Sequence, residues 1–146
     1  MDRFDGFHDA CLREASLVTD TFIDVDGGFH DDGRLDTSMV LVFQSQSAPD
    51  RAIEVRCTGV THFRLQPTPE NCDSILAGAS FDRTPDGYRL GAYFIGLPLT
   101  GPPNSLAHRR VDAEEPPALD VSASAMAWRA LPGALGPVVR HRGVDA

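Results

Sequence analysis

A chain of 146 residues and 15.8 kDa is the size of one domain, and folding at this length removes roughly 70% of the unfolded chain's surface from water. Its hydrophobic fraction of 42%, charged fraction of 23% and formal net charge of −8 place it among soluble globular domains and argue against binding to nucleic acid or an anionic membrane, both of which need basic patches. All 13 Lys+Arg residues are arginine, which removes Schiff-base, phosphate-loop and general-base lysines from consideration. No apolar run reaches the ~18 residues of a spanning helix, and Met1-Asp2-Arg3-Phe4-Asp5-Gly6 carries no signal-peptide core, so a cytoplasmic location is expected.

Taken in chain order, Ala10 to Val18 reads as a strand, although Phe7, Cys11, Ala15 and Val18 also fit a helical stripe. Thr21 to Val25 is a second, shorter strand candidate, expected to pair with it. Ser38-Met39-Val40-Leu41-Val42-Phe43 is apolar on both faces and suits a central strand. Ser47-Ala48-Pro49-Asp50 then turns the chain, predicting a hairpin with Ala52 to Leu65. In that segment Ile53, Val55, Cys57, Thr61, Phe63 and Leu65 alternate with Glu54, Arg56, Thr58, His62 and Arg64, the period of a half-buried strand. Gly59-Val60 interrupts the alternation, where a bulge or bend lets one long strand serve two parts of a sheet.

Ile75, Ala77, Ala79 and Phe81 alternate, as do Tyr88, Leu90, Ala92 and Phe94, and the turn chemistry of Asp82 to Gly87 between them predicts a hairpin. Leu119, Val121, Ala123 and Ala125 share one face of a last strand, Leu119 to Trp128, whose small residues permit close approach of another element. Gly96 to Pro117, carrying Pro98, Pro102, Pro103, Pro116 and Pro117, is a long loop, either functional or disordered. Residues 132–146 read as a tail after a single mostly-β domain over residues 1–131. The expected architecture is an antiparallel β-sandwich or partly open barrel of about six to eight strands with little helix.

Chemistry-bearing residues are few. Cys11, Cys57 and Cys72 cannot all pair within the chain and read as inert thiols. The Asp24 to Gly33 segment concentrates Asp24, Asp26, His30 and Asp31 among glycines. A helix-loop-helix calcium loop fails there, because Phe29 and Leu35 stand where glycine and glutamate belong; an irregular metal site competes with a simple Asp/Gly turn. His8-Asp9 is a candidate imidazole–carboxylate pair that, with His62, would make a metal or acid–base site if the three converge. Arg56, His62 and Arg64 form a cationic row that holds an anion or pairs with Glu54 and nearby aspartates. Trp128, the only tryptophan, is a core residue by default and a contact residue otherwise. No nucleophile elbow, phosphate loop or dinucleotide fingerprint occurs, and no cofactor is implied.

The Phe7-His8-Asp9-Ala10 opening, the strand-like Leu12 to Leu17, the apolar strand and Glu54-Val55-Arg56-Cys57-Thr58-Gly59-Val60 together resemble small bacterial proteins with a Phe-His-Asp-Ala opening. Some of these are immunity proteins of polymorphic toxin systems and others are domains of unknown function. The likeness covers residues 1–65; the proline-rich 96–117 segment has no counterpart. It implies a non-enzymatic, partner-binding, mostly-β protein. An acidic surface suits a basic protein partner such as a toxin. The competing expectations are a small-molecule- or metal-binding domain with a hydrolase-type site at His8, Asp9 and His62, and a homodimer formed through a sheet edge.

Overall fold

In the computed structural model, which describes residues 7–19, 21–30, 37–45, 52–66, 75–95 and 117–131, β-strands dominate. They are β1 (Ala10–Val18), β2 (Phe22–Ile23), β3 (Phe29–His30), β4 (Ser38–Ser45), β5 (Ala52–Leu65), β6 (Ile75–Thr84), β7 (Gly87–Ile95) and β8 (Leu119–Ala130). The mostly-β expectation holds. Six of the strands close a barrel in the order β1-β4-β5-β8-β7-β6, and β2 and β3 form a separate ribbon. The 10–18 segment is strand rather than helix, and it pairs with β4 and β6 instead of with the short strand that follows it. The loop residues 96–116, the tail 132–146, Asp31 and Cys72 lie outside the described residues.

Two long strands set the architecture. The first half of β5 pairs with β4, from Ala52–Gln44 to Thr58–Ser38, and the whole of β5 pairs with β8. The first half of β8 also pairs with β7, up to the Ala123–Tyr88 pair. The barrel is therefore two four-stranded sheets that share β5 and β8. Its remaining seam is short, consisting of the Ala10–Leu76 and Cys11–Ile75 pairs.

Gly59 sits where the sheets diverge, with φ of 61°, a left-handed conformation that favours glycine. The predicted break in alternation is present, and it is double. Buried Cys57 is followed by buried Val60, so the inward face shifts by one residue at Gly59; the bulge between Val60 and His62 shifts it back. Thr61, expected on the inward face, is the extra residue, exposed and donating its hydroxyl to the Ser122 carbonyl. The same corner moves β8: Ala123 is buried, Ala125 is exposed contrary to the simple alternation, and the Ser124 hydroxyl donates to the Gly59 carbonyl at 3.3 Å.

The core joins the inward faces of both sheets, with Met39, Leu41 and Phe43 from β4, Ile53, Val55 and Cys57 from β5, Leu90 from β7 and Leu119 and Val121 from β8. Phe7 plugs one end, 1% exposed, with its ring edge-on to Phe43 at a centroid distance of 4.7 Å. The predicted β6–β7 hairpin is present and turns tightly at Pro85-Asp86. Gly87, at φ of 142°, passes so close to β8 that a Cβ there would lie 2.3 Å from the Ala123 carbonyl oxygen.

Candidate functional site

On the outward faces of β5 and β8, two carboxylates are nearly buried and each is held by arginine. Glu54 accepts from Arg56 Nε at 2.8 Å and from Arg129 Nε and Nη2 at 3.1 and 2.9 Å. The register places Arg129 directly opposite Glu54, so this is a cross-strand ion pair with a second arginine two residues along β5. The Arg129 hydrogen bonds hold the Glu54 carboxyl below its ordinary range, against the opposing effect of its burial, with Arg56 adding to the depression. Toward the other end of the same ladder, Asp120 accepts from Arg89 Nε and Nη2 at 2.8 and 2.6 Å, and His62 Nε2 lies 3.9 Å away. Arg89 lowers the Asp120 pKa, again opposed by burial and assisted by His62 and Arg64.

The first cluster borders a pocket of about 290 Å³ lined by Glu54, Arg56, Ala127, Trp128 and Arg129. Trp128 is 46% exposed, so it is not the core residue that a lone tryptophan suggests. The reason is positional: its ladder neighbour Val55 is paired on both sides, by β4 and β8, but β8 at this point has passed the end of β7 and has no described strand on its other side. The candidate residues Arg56 and Trp128 therefore meet at one place. Glu54 and Arg129 complete it; the alternation of Glu54 and Arg56 on β5 was the available signal, whereas the β8 register that brings Arg129 to them was not legible.

His8 and Asp9 form their own exposed pair, with Nδ1 3.0 Å from Oδ2, and His62 belongs to the Asp120 cluster. Among the described residues no three His, Cys, Asp or Glu side chains are arranged to hold a metal ion. Asp24 Oδ1 accepts the Asp26 and Gly28 backbone N–H groups at 2.9 and 2.7 Å, the turn arrangement of an aspartate that caps its own loop. Asp26 is exposed, and His30 lies in β3 by its backbone. Cys57 is buried and its thiol is pushed up to about 11 by desolvation, which suits an inert thiol.

The backbone of β8 supplies a further feature of this margin. The Leu131 N–H donates to the Ala52 carbonyl at 2.9 Å, and the β5–β8 register runs unbroken from there to Ala125–Thr58. Polar backbone groups alternate sides along a strand, so Arg129, Ala127 and Ala125 also turn theirs toward β5. Met126, Trp128 and Ala130 consequently aim their N–H and C=O groups away from β5, where no described strand pairs with them.

No protein-family model, curated protein or solved structure matches this chain. No helix among the described residues is long and apolar enough to cross a membrane.

Proposed function

We propose that this chain is a non-enzymatic protein-binding domain that takes up a partner strand along the outer half of β8. The observation that carries the reading is the half-exposed Trp128 on a margin whose outward backbone groups have no described partner. Strand addition supplies affinity through backbone hydrogen bonds and selectivity through side-chain pockets beside the edge. The pocket flanked by Trp128 and the Arg56–Glu54–Arg129 cluster is such a pocket. The resemblance of the Phe7-His8-Asp9-Ala10 opening to immunity proteins agrees with a binding role, and a net charge of −8 would speed encounter with a basic partner.

The test is affinity capture from native lysate with wild-type and Trp128→Ala baits, followed by amide exchange on the recovered complex. A protein retained by the wild type, lost by the folded variant and protecting the Met126, Trp128 and Ala130 amides is the expected result. Equal retention by both baits, or protection confined to another strand, refutes the reading.

A further inference from the structure

We infer that the pocket beside Arg56 and Arg129 binds a single carboxylate carried on a small apolar body. The inference goes beyond strand addition and needs only the pocket.

The register explains why space and charge meet here. On the outward face of the ladder Glu54 lies opposite Arg129, and Arg56 lies opposite Ala127. Side chains opposite one another across a pair of strands stand about 4.5–5.5 Å apart at Cβ, so a long side chain at position 127 would fill the region between the two arginines. Alanine leaves it open. The result is the pocket of about 290 Å³, at the lower limit of the range of about 300–1,000 Å³ that suits small ligands. On the other side of β5, Val40 and Val42 lie opposite Arg56 and Glu54 and add no charge.

The charges around this space do not balance. Both guanidinium groups are permanently charged, and Glu54, held below its ordinary range by Arg129, is ionised at neutral pH. Two positive groups against one negative group leave a surplus of one positive charge. Glu54 occupies Arg56 Nε and Arg129 Nε and Nη2. The terminal nitrogens of Arg56 and Nη1 of Arg129 have no hydrogen-bond partner among the described residues, and both side chains are 64% exposed. Those donors are open to an incoming acceptor. Glu54 itself shows the chemistry the pair accepts, carboxylate oxygens held by guanidinium N–H groups. A second carboxylate offsets the surplus charge, whereas a dianionic phosphate would leave a net negative charge beside Glu54. Ala127 and Trp128 line the same space and give the body of the ligand an apolar wall.

Benzoate is the probe, titrated into the full chain and followed in proton–nitrogen correlation spectra through the Nε–H signals of Arg56 and Arg129 and the backbone amides of Ala127 and Trp128. Saturable shifts of these signals are expected at a dissociation constant of about 1–10 mM, the scale for a ligand of about nine non-hydrogen atoms. Benzamide, which has the same shape without the charge, and inorganic phosphate should each bind more weakly by about tenfold or more. Arg56→Gln removes the surplus charge and Ala127→Leu fills the space; each should weaken benzoate binding by about tenfold or more with a wild-type far-ultraviolet spectrum. Arg83→Gln makes the same change of charge at an exposed position of β6 and should leave binding as it was. The absence of a saturable shift overturns the inference, as does benzamide binding equal to benzoate or wild-type binding in either pocket variant. Benzoate added to the affinity capture then identifies the source of the carboxylate: release of the captured protein assigns it to that protein, and undisturbed capture assigns it to a free small molecule. Benzoate binding without any captured protein refutes strand addition and leaves the carboxylate site standing.

Discussion

Phe7 combines two properties that pull in opposite directions, and substitutions there separate them. Its ring is 1% exposed and packed edge-on against Phe43, but its φ is 68°, in the left-handed region that a residue with a Cβ enters at a cost of about 1–2 kcal/mol. Phe7→Ala removes the ring and keeps the backbone strain, so it should cost about 3–5 kcal/mol, the range for truncating a buried phenylalanine. Against a total stability of about 5–15 kcal/mol, that is a large part of the whole. Phe7→Gly removes the ring and the strain together, while adding about 0.5–1 kcal/mol of unfolded-chain entropy. The two effects leave Phe7→Gly more stable than Phe7→Ala by about 0.5–1 kcal/mol, the reverse of the usual order for these residues. Urea unfolding followed by circular dichroism and by Trp128 fluorescence measures both variants, with the two probes checking each other for two-state behaviour. A Phe7→Ala variant destabilised by less than about 1 kcal/mol would show that the ring does not fill the barrel end. A Phe7→Gly variant less stable than Phe7→Ala would refute the strain argument.

Three further predictions follow from the barrel and its ion pairs. Glu54→Gln keeps the shape but turns an amide donor toward arginine donors; with the arginines largely exposed to solvent, the loss should be about 1–2 kcal/mol in urea unfolding at neutral pH. The pKa values of Glu54 and Asp120 are both lowered in the folded state, so their contribution is complete above their unfolded values near about 4 and disappears as pH falls through the folded ones. Stability should therefore fall in acid, less steeply in Glu54→Gln, and an identical acid slope in variant and wild type would show that Glu54 is not depressed. Gly87→Ala forces a Cβ against the Ala123 carbonyl and should cost about 3 kcal/mol, read as a drop in the urea midpoint at unchanged slope. Cys57, buried with its thiol pushed up to about 11, should resist a thiol reagent at pH 8 until the chain unfolds; a Cys57→Ser variant that loses a fast-reacting thiol would contradict its burial.

Much of the architecture was legible because it is written in local patterns. Alternation marked β5, β6, β7 and the first half of β8, and proline with Asp-Gly turn chemistry marked the β6–β7 hairpin. Gly59-Val60 also announced itself as a break, since glycine in an otherwise regular strand often marks a bend or bulge. Its effect on facing was not legible. A glycine and a bulge two residues later each shift the inward side by one, and only the register against β8 shows that the shifts cancel, returning Phe63 and Leu65 to the side of Val121 and Leu119. The partner of β1 was hidden for a related reason: pairing with β4 and β6 is set by barrel closure, which no short window of sequence contains.

The candidate site divides along the same line. Arg56 and Trp128 stand 72 positions apart in sequence and were singled out separately, one for its place in a cationic row and the other for being a lone indole. The structure joins them through a β5–β8 ladder whose sum of positions places Glu54 opposite Arg129 and Val55 opposite Trp128. That ladder also decides the exposure of Trp128. An aromatic on an inward-facing position is buried only where the opposite wall of the barrel continues past it, and β8 outruns β7 by the whole stretch after Ala123. The exposed indole and the backbone edge without a described partner are thus one consequence of unequal strand lengths. A strand that fills the edge would cover the indole as well, so partner capture lost in Trp128→Ala and protection of the Met126 and Trp128 amides should go together.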